Sequence, residues 1–191
     1  MMQMLAAGGV PPLHDGHRPA DDDNPRGYFE FAPAKNLRAD ISWLPHAQGR
    51  VLKLVAQLLP FLPASKMEIP AEAAKEMKRE MAERLIPQYR IIFMERSLDE
   101  VLASQSVMLN RHGQKGAALA PEKLRAIYEQ QLARVSEILE RRKLPVLRVT
   151  HADCLRNSAE VATRVKNFLN LPLDSAAMAA VVDKSLYRQR K

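Results

Sequence analysis

Arg96 and Ser104 are the residues of this sequence whose types and spacing best fit the binding of an anion. Arg96 follows the apolar stretch "RIIFM", and Ser104 comes eight residues after it. A guanidinium group binds oxyanions through two parallel hydrogen bonds, and a serine hydroxyl adds a further donor. The pair would therefore form a phosphate site. Spacing alone also allows a surface arginine beside an acidic helix start, with Ser104 simply solvated.

Two short elements would position this pair. The stretch "YRIIFM" predicts a buried strand, and "SLDE" from Ser97 has the form of a capping box, which predicts a helix from Ser97 to about Asn110. Arg96 then lies at the carboxyl end of a strand, and Ser104 lies roughly 10 Å along the helix. The stretch "LPVLRVT" predicts another strand. Ligands of parallel sheets bind beyond the carboxyl ends of the strands, so the pair is at the expected edge.

Amphipathic patterns predict helices around these strands. A first helix ends at Gly8-Gly9, a second runs from Pro70 to Pro87, and others cover 121–142, 157–170 and 175–182. Asn157 with Glu160 has the form of a capping box. In the helix over 121–142, five apolar residues are expected to face inward: Leu124, Ile127, Leu132, Val135 and Leu139.

The remaining segments are harder to classify. A helix is expected between Tyr28 and Trp43, and "RVLKLVAQLLPFLP" from Arg50 is expected to begin as a buried strand. Strands that alternate with amphipathic helices predict an α/β fold, with a mainly parallel sheet flanked by helices in a three-layer sandwich. The whole chain, 1–191, is expected to be a single domain with a helical insertion at 64–87.

The charge balance suggests an anionic partner. The 191 residues carry a net charge of +7, and the sequence pI is about 9.7. The segment "HDGHRPADDDNPRGYFE", however, holds five acidic residues against two arginines. A nucleic-acid-binding module is a possible class of protein, but the basic residues are dispersed and few aromatic side chains are available for stacking.

Several classes of protein and site are disfavoured. The single cysteine, Cys154, cannot form an internal disulfide, is expected to be buried and structural, and predicts a cytoplasmic location. No apolar run approaches the ~20 residues of a membrane span. The five histidines and one cysteine show no spacing typical of metal ligands, so no metal is expected.

The stretch "RSLDEVLAS" resembles the 3′-phosphate-binding motif of PAPS-dependent sulfotransferases. Other parts of the chain resemble the bacterial sulfotransferase-like branch of that superfamily in the same order: "MLAAGGVPPLHDGHRPADDDNPRGYFEF", "LLPFLP", "VLRVTHADCLRNSAEVATRVKNFLNL" and "SLYRQR". The resemblance implies a P-loop NTPase-like fold and transfer of a sulfuryl group from PAPS to a hydroxyl or amine. The product nucleotide would be 3′,5′-phosphoadenosine.

The resemblance also implies residue roles. Arg96 and Ser104 would hold the 3′-phosphate, and Arg188 and Arg190 would close over it; the alternative for these two is a solvated tail. Lys53 would approach the sulfuryl oxygens.

The histidine that follows this lysine in cytosolic relatives is not found here, so the carboxylate of Asp15, beside His14, becomes the candidate base. Asn24, Arg26 and Glu30 would shape the acceptor pocket. Asp15 could instead form a turn, as could "DNPRG".

One expected part of the family pattern is missing. Relatives cradle the 5′-phosphosulfate in a glycine-bearing loop between their first strand and first helix, whereas this sequence opens with "MMQML", inside the first helix. We expect either a truncated form of a longer sulfotransferase or a degenerate member. The alternative function is a non-catalytic binding or scaffolding protein of the same fold. The acceptor and the oligomeric state stay open.

Overall fold

The computed structural model describes residues 1–21, 24, 26–63, 88–111, 113 and 119–186. Its helices and strands are, in chain order, α1 (Met2–Ala7), β1 (Ile91–Glu95), α2 (Leu98–Arg111), α3 (Pro121–Arg141), β2 (Val146–Thr150), α4 (His151–Arg156), α5 (Ser158–Leu169) and α6 (Ser175–Ala180). Within these ranges, four 3₁₀ helices cover Ala32–Asn36, Leu44–Ala47, Ala56–Phe61 and Lys184–Leu186. The predicted helix over 70–87 and the insertion at 64–87 lie outside the described residues.

The two strands form a parallel pair, which confirms an α/β fold. Their register runs from Ile91 opposite Val146 to Glu95 opposite Thr150. Parallel strands require a crossover, and within the described residues α2 and α3 lie between them in the chain. Because both strands end at the same register position, the residues that follow them meet at one edge of the sheet.

Side chains of the strands enter two separate apolar clusters. Ile91 and Phe93 pack with Trp43, Leu59, Val135 and other residues of the first half and of α3. Leu147 and Val149 pack with Met4, Val161 and other residues of α1, α4, α5 and α6. Alternate residues of a strand point to opposite faces, so the sheet is covered by apolar residues on both faces.

Helix α1 is short and is held by its packing. Met4 and Leu5 are both 2% exposed, and the backbone N–H of Gly8 donates to Met4 O at 2.9 Å. A Cβ atom built at Gly8 would lie 2.6 Å from Met178 Cγ, so α1 and α6 approach each other closely here. The predicted first helix, with its apolar face in the core, is confirmed.

The predicted strand from Arg50 is wrong. Val51 makes one parallel bridge with Pro12, and the chain then forms the 3₁₀ helix Ala56–Phe61. A longer ladder is hindered because Pro11 and Pro12 on the opposite segment have no backbone N–H. The helix expected between Tyr28 and Trp43 is found only in part, as the short 3₁₀ helix Ala32–Asn36, after which the chain turns.

Helix α3 lies within one residue of its predicted bounds, and its inward face is partly as expected. Val135 and Leu139 are buried and Leu132 packs against them, but Ile127 is 38% exposed. The inward orientation predicted for Ile127 is therefore wrong.

The turn between β2 and α5 differs from the prediction. Helix α4 was not predicted; it begins where Thr150 Oγ1 accepts a hydrogen bond from the backbone N–H of Asp153 at 3.0 Å. Asn157 precedes α5 but makes no side-chain capping bond, so the predicted capping box is wrong. The expected end of α5 is confirmed, at Asn170 in the left-handed conformation. Among the described residues, no helix is both long enough and apolar enough to cross a membrane.

Candidate functional site

Arg96 and His151 mark the carboxyl edge of the parallel pair. Arg96 comes directly after β1, and His151 comes directly after β2 as the first residue of α4. Glu95 and Thr150, the residues before them, are register partners. The sequence prediction that Arg96 lies at the carboxyl end of a strand is therefore confirmed.

Arg96 is oriented by the helix that follows it. Its Nε donates to Glu100 Oε2 at 2.8 Å, and the two side chains are 28% and 16% exposed. Ser104, half-buried, lies one helical turn beyond Glu100. Glu100 and Ser104 are four apart on this helix and share one face, and Arg96, which precedes the helix, reaches that face through its bond to Glu100. The helix itself begins at Leu98, one residue later than expected.

The charges of Arg96 and Glu100 also act on the His151 imidazole. Burial lowers the pKa of its imidazole, and the nearby charges of Arg96 and of the Met1 α-amino group lower it further, whereas Glu100 raises it. The net shift is downward, so the imidazole is neutral at pH 7. His151 was not predicted as a site residue, although its position directly after a predicted strand was a usable signal.

Cys154 lies three residues further along α4 and is buried. Burial raises the pKa of its thiol, which therefore stays protonated at neutral pH. Its expected burial is confirmed, and it packs in the cluster that contains Val149 and Val161.

Asp15 fastens the segment that carries it. Its carboxylate accepts hydrogen bonds from the backbone N–H groups of Ala32 at 2.5 Å and of His17 at 3.0 Å. These two bonds lower the pKa of Asp15 to about 2. A carboxylate that holds its charge so strongly is a weak proton acceptor at neutral pH, so the geometry favours the turn-forming interpretation of Asp15.

Three cationic side chains surround the carboxylate of Glu30. Its oxygens lie 3.0 Å from Lys35 Nζ, 3.2 Å from Arg18 Nη1 and 4.0 Å from Lys53 Nζ. Burial opposes ionisation of Glu30, but the bond to Lys35 and the charges of Lys35, Lys53 and Arg18 outweigh it and lower the pKa. The ionised carboxylate is thus built into a charged network.

Lys53 belongs to the same charged network around Glu30. Its Nζ donates to the backbone carbonyl of Tyr28 at 3.0 Å. Burial lowers the pKa of its ammonium group, and Arg18 and Lys35 lower it further, while Glu30 raises it. The structure therefore brings together Asp15, Glu30 and Lys53, since the backbone N–H of Asp15 also donates to Glu30 O at 3.1 Å.

Tyr28 and Asp21 organise the intervening loop. Tyr28 Oη lies 2.6 and 2.7 Å from the two carboxylate oxygens of Asp21, and the Arg18 guanidinium lies 3.4 Å from the centre of the Tyr28 ring. The backbone N–H of Asn24 also donates to Asp21, at 2.8 Å. Asn24 thus sits in the predicted tight turn.

Arg26 reaches across to the end of the described chain. It donates to Asp183 Oδ2 and to the carbonyl oxygen of Val181, both at 2.8 Å. It also lines a cleft of about 150 Å³ together with seven other residues: His14, Gly16, Arg18, Gly27, Tyr28, Phe29 and Glu30. Arg188 and Arg190 lie outside the described residues.

Within the described ranges, no group of three or more histidine, cysteine, aspartate or glutamate side chains is arranged to hold a metal ion. Comparison with known proteins found no family model, no curated protein and no solved structure that matches this chain.

Proposed function

We propose that this chain is a sulfotransferase-family protein that binds the 3′-phosphate end of PAPS and of its product, 3′,5′-phosphoadenosine. The finer fold is a three-layer, P-loop NTPase-like sandwich. The observation that carries the proposal is the position of Arg96 directly after β1, with its Nε bound to Glu100 on the face of α2 that also carries Ser104. A guanidinium fixed at its Nε by a carboxylate is held in one orientation, which suits bidentate binding of phosphate.

The proposed reaction is an in-line displacement at sulfur. A hydroxyl or amine of the acceptor forms the new bond to sulfur, and the bond from sulfur to the bridging oxygen of the phosphosulfate breaks. The acceptor loses a proton, and 3′,5′-phosphoadenosine leaves with the electron pair. Lys53, held beside Glu30, would offset charge on the sulfuryl oxygens. This activity is proposed for a form that also carries a phosphosulfate-binding loop.

The base in this reaction is better assigned to Glu30 than to Asp15. Both carboxylates have lowered pKa values and engaged oxygens, so they differ in access: Asp15 holds two backbone N–H groups of the loop. Glu30 lines the cleft, where an acceptor hydroxyl could reach it. Arg26 and Asn24 then support the cleft, and Arg188 and Arg190 keep their proposed role at the phosphate.

The test is calorimetric titration with 3′,5′-phosphoadenosine. We expect Arg96→Ala to weaken binding by at least about tenfold, since a charge-assisted bond to phosphate contributes about 1.5–3 kcal/mol. Arg90→Ala is the matched control, because Arg90 precedes the same strand and donates to Phe168 O at 2.7 Å, away from the carboxyl edge. Equal loss in both variants, or no binding by the folded wild-type chain, would refute the proposed phosphate site.

A second candidate is a non-catalytic binding protein of the same fold. The observation that favours it is Asp15, whose backbone bonds and low pKa leave it unsuited to proton transfer. This candidate predicts that a form carrying the loop binds PAPS without transferring the sulfuryl group to any acceptor. Sulfuryl transfer that depends on Glu30 would exclude it.

A further inference from the structure

We infer that the cleft between residues 14–18 and 26–30 binds a neutral polyhydroxyl compound of about the size of one sugar ring. The inference rests on the proposed function only in taking this compound as the sulfuryl acceptor. The cleft of about 150 Å³ is comparable to a protein cavity that holds benzene, so it is large enough for one six-membered ring.

The cleft has an apolar wall made by a strained residue. Phe29 has φ of 49°, in the left-handed region that a phenylalanine rarely adopts, and its ring lies 5.9 Å from the His14 ring in an edge-on contact. Residues held in such conformations concentrate where a ligand is clamped. The Phe29 ring, which lines the cleft, provides an apolar surface against which the C–H groups of a sugar ring can pack.

The charged groups of the cleft are already paired within the protein. Arg26 is bound by Asp183 and by Val181 O, and Arg18 lies 3.2 Å from Glu30. Because each of these arginines lies beside a carboxylate, a charged ligand group would meet a like charge as well as an opposite one. A neutral hydroxyl avoids this repulsion and can use the remaining acceptor positions of the carboxylate and N–H donors of the guanidinium.

The orientation of these groups is also fixed in advance. The Arg18 guanidinium lies 3.4 Å from the centre of the Tyr28 ring, and Lys35 binds the second oxygen of Glu30 at 3.0 Å. A hydroxyl can therefore donate to Glu30 and accept from Arg18 without reordering either side chain. Pre-oriented donor and acceptor pairs next to an apolar wall favour a polyol over a simple alcohol.

The test uses three compounds of one ring size: glucose, glucuronate and glucosamine. Each is titrated into the ¹⁵N-labelled chain while backbone amide shifts are recorded. We expect glucose to shift amides in 14–18 and 26–30 with a Kd on the order of 1–10 mM, and the charged compounds to bind at least about fivefold more weakly. Tighter binding of either charged compound, or no shifts in these two segments up to about 100 mM glucose, would overturn the inference.

Three variants separate the cleft from general stability. Phe29→Gly removes the ring while glycine adopts the same positive φ without strain, so the fold should persist and glucose affinity should fall at least about fivefold. Glu30→Gln should produce a similar loss with little change in shape. Phe61→Ala removes another exposed ring, 42% accessible, outside the cleft, and should leave glucose affinity unchanged.

Titration of the same samples with 3′,5′-phosphoadenosine distinguishes the two proposals. Glucose binding without nucleotide binding would refute the proposed donor and keep the cleft. Nucleotide binding without glucose binding would refute the cleft and keep the donor.

Discussion

Arg26 and Asp183 form an ion pair across 157 positions of the chain, with 2.8 Å between Nη2 and Oδ2. Asp183 also accepts two bonds from Ser185, and the other terminal nitrogen of Arg26 donates to Val181 O. The pair therefore ties the loop that holds Tyr28 and Glu30 to the segment after α6. In this arrangement Arg26 positions the cleft as well as lining it.

Exchanging the two charges tests this connection. Arg26→Asp and Asp183→Arg should each lower the thermal unfolding midpoint, because each places two like charges side by side. The double variant should recover part of the loss, since opposite charges again face each other, although the bond to Val181 O is not restored. Strictly additive losses in the double variant would show that the two side chains do not interact in solution.

Asp15 should make stability depend on acid pH. Its folded pKa of about 2 lies below the ordinary value of 3.8, chiefly because Ala32 and His17 donate backbone N–H bonds to it. The ionised form therefore stabilises the fold above the unfolded pKa, and this contribution is lost as the pH falls from about 4 to about 2. Asp15→Asn should melt below the wild type at pH 7, with the difference closing over that interval.

The matched control for this change is Asp174→Asn. Asp174 caps α6 by accepting from the backbone N–H of Ala177, and asparagine caps helices equally well. Its melting temperature should stay close to that of the wild type at pH 7. A difference for Asp15→Asn that does not change between pH 7 and pH 2 would contradict the assigned role of its charge.

His151 should report the charges at the sheet edge. Burial is the main cause of its lowered pKa, Arg96 lowers it as well and Glu100 raises it. Arg96→Ala should therefore raise the pKa of His151, and Glu100→Gln should lower it, as followed by NMR titration of the ring protons. Because the folded pKa lies below the unfolded value of 6.5, stability should fall as the pH drops below 6.5.

Arg90→Ala again serves as the control and should leave the titration of His151 unchanged. Shifts of the same sign for Arg96→Ala and Glu100→Gln would mean that burial or repacking, and not charge, governs the imidazole. That result would also weaken the grouping of Arg96 and His151 at one edge.

What could be predicted from the sequence is what depends on local periodicity. The short apolar runs around Phe93 and Val149 formed the expected strands. The length of the first run indicated where that strand ends, so Arg96 could be placed at its carboxyl end. The run from Arg50 misled for a physical reason. Its apolar residues belong to a single β-bridge and a 3₁₀ helix. A longer strand is hindered because the prolines within this segment and on the opposite segment lack the backbone N–H groups that strand pairing requires.

Other features of the candidate site could not be predicted from local sequence pattern. The partner of Arg26 lies far along the chain, and no spacing rule connects it to Asp183. The relevance of His151 depends on the register of β1 with β2, which is a tertiary property. Asp15 was predicted as the base, with turn formation as the alternative, and only the backbone donors around it favour the second interpretation.

Gly8 is expected to be required for space and not for backbone freedom. Its φ is −76°, which any residue can adopt, but an added Cβ would lie 2.6 Å from Met178 Cγ and 2.8 Å from Met178 Sδ. Met178 is fully buried between α1 and α5, so it has little room to move. Gly8→Ala should therefore reduce the free energy of unfolding by about 1–3 kcal/mol in urea denaturation, the usual cost of overpacking.

The cause of this loss can be isolated with a second change at Met178. Met178→Ala alone should cost about 2–5 kcal/mol because it leaves a cavity, whereas the new Cβ at position 8 would partly fill that cavity in the double variant. The sum of the losses in the two single variants should therefore exceed the loss measured for the double variant. Additive losses would mean that the alanine at position 8 destabilises α1 for some reason other than contact with Met178.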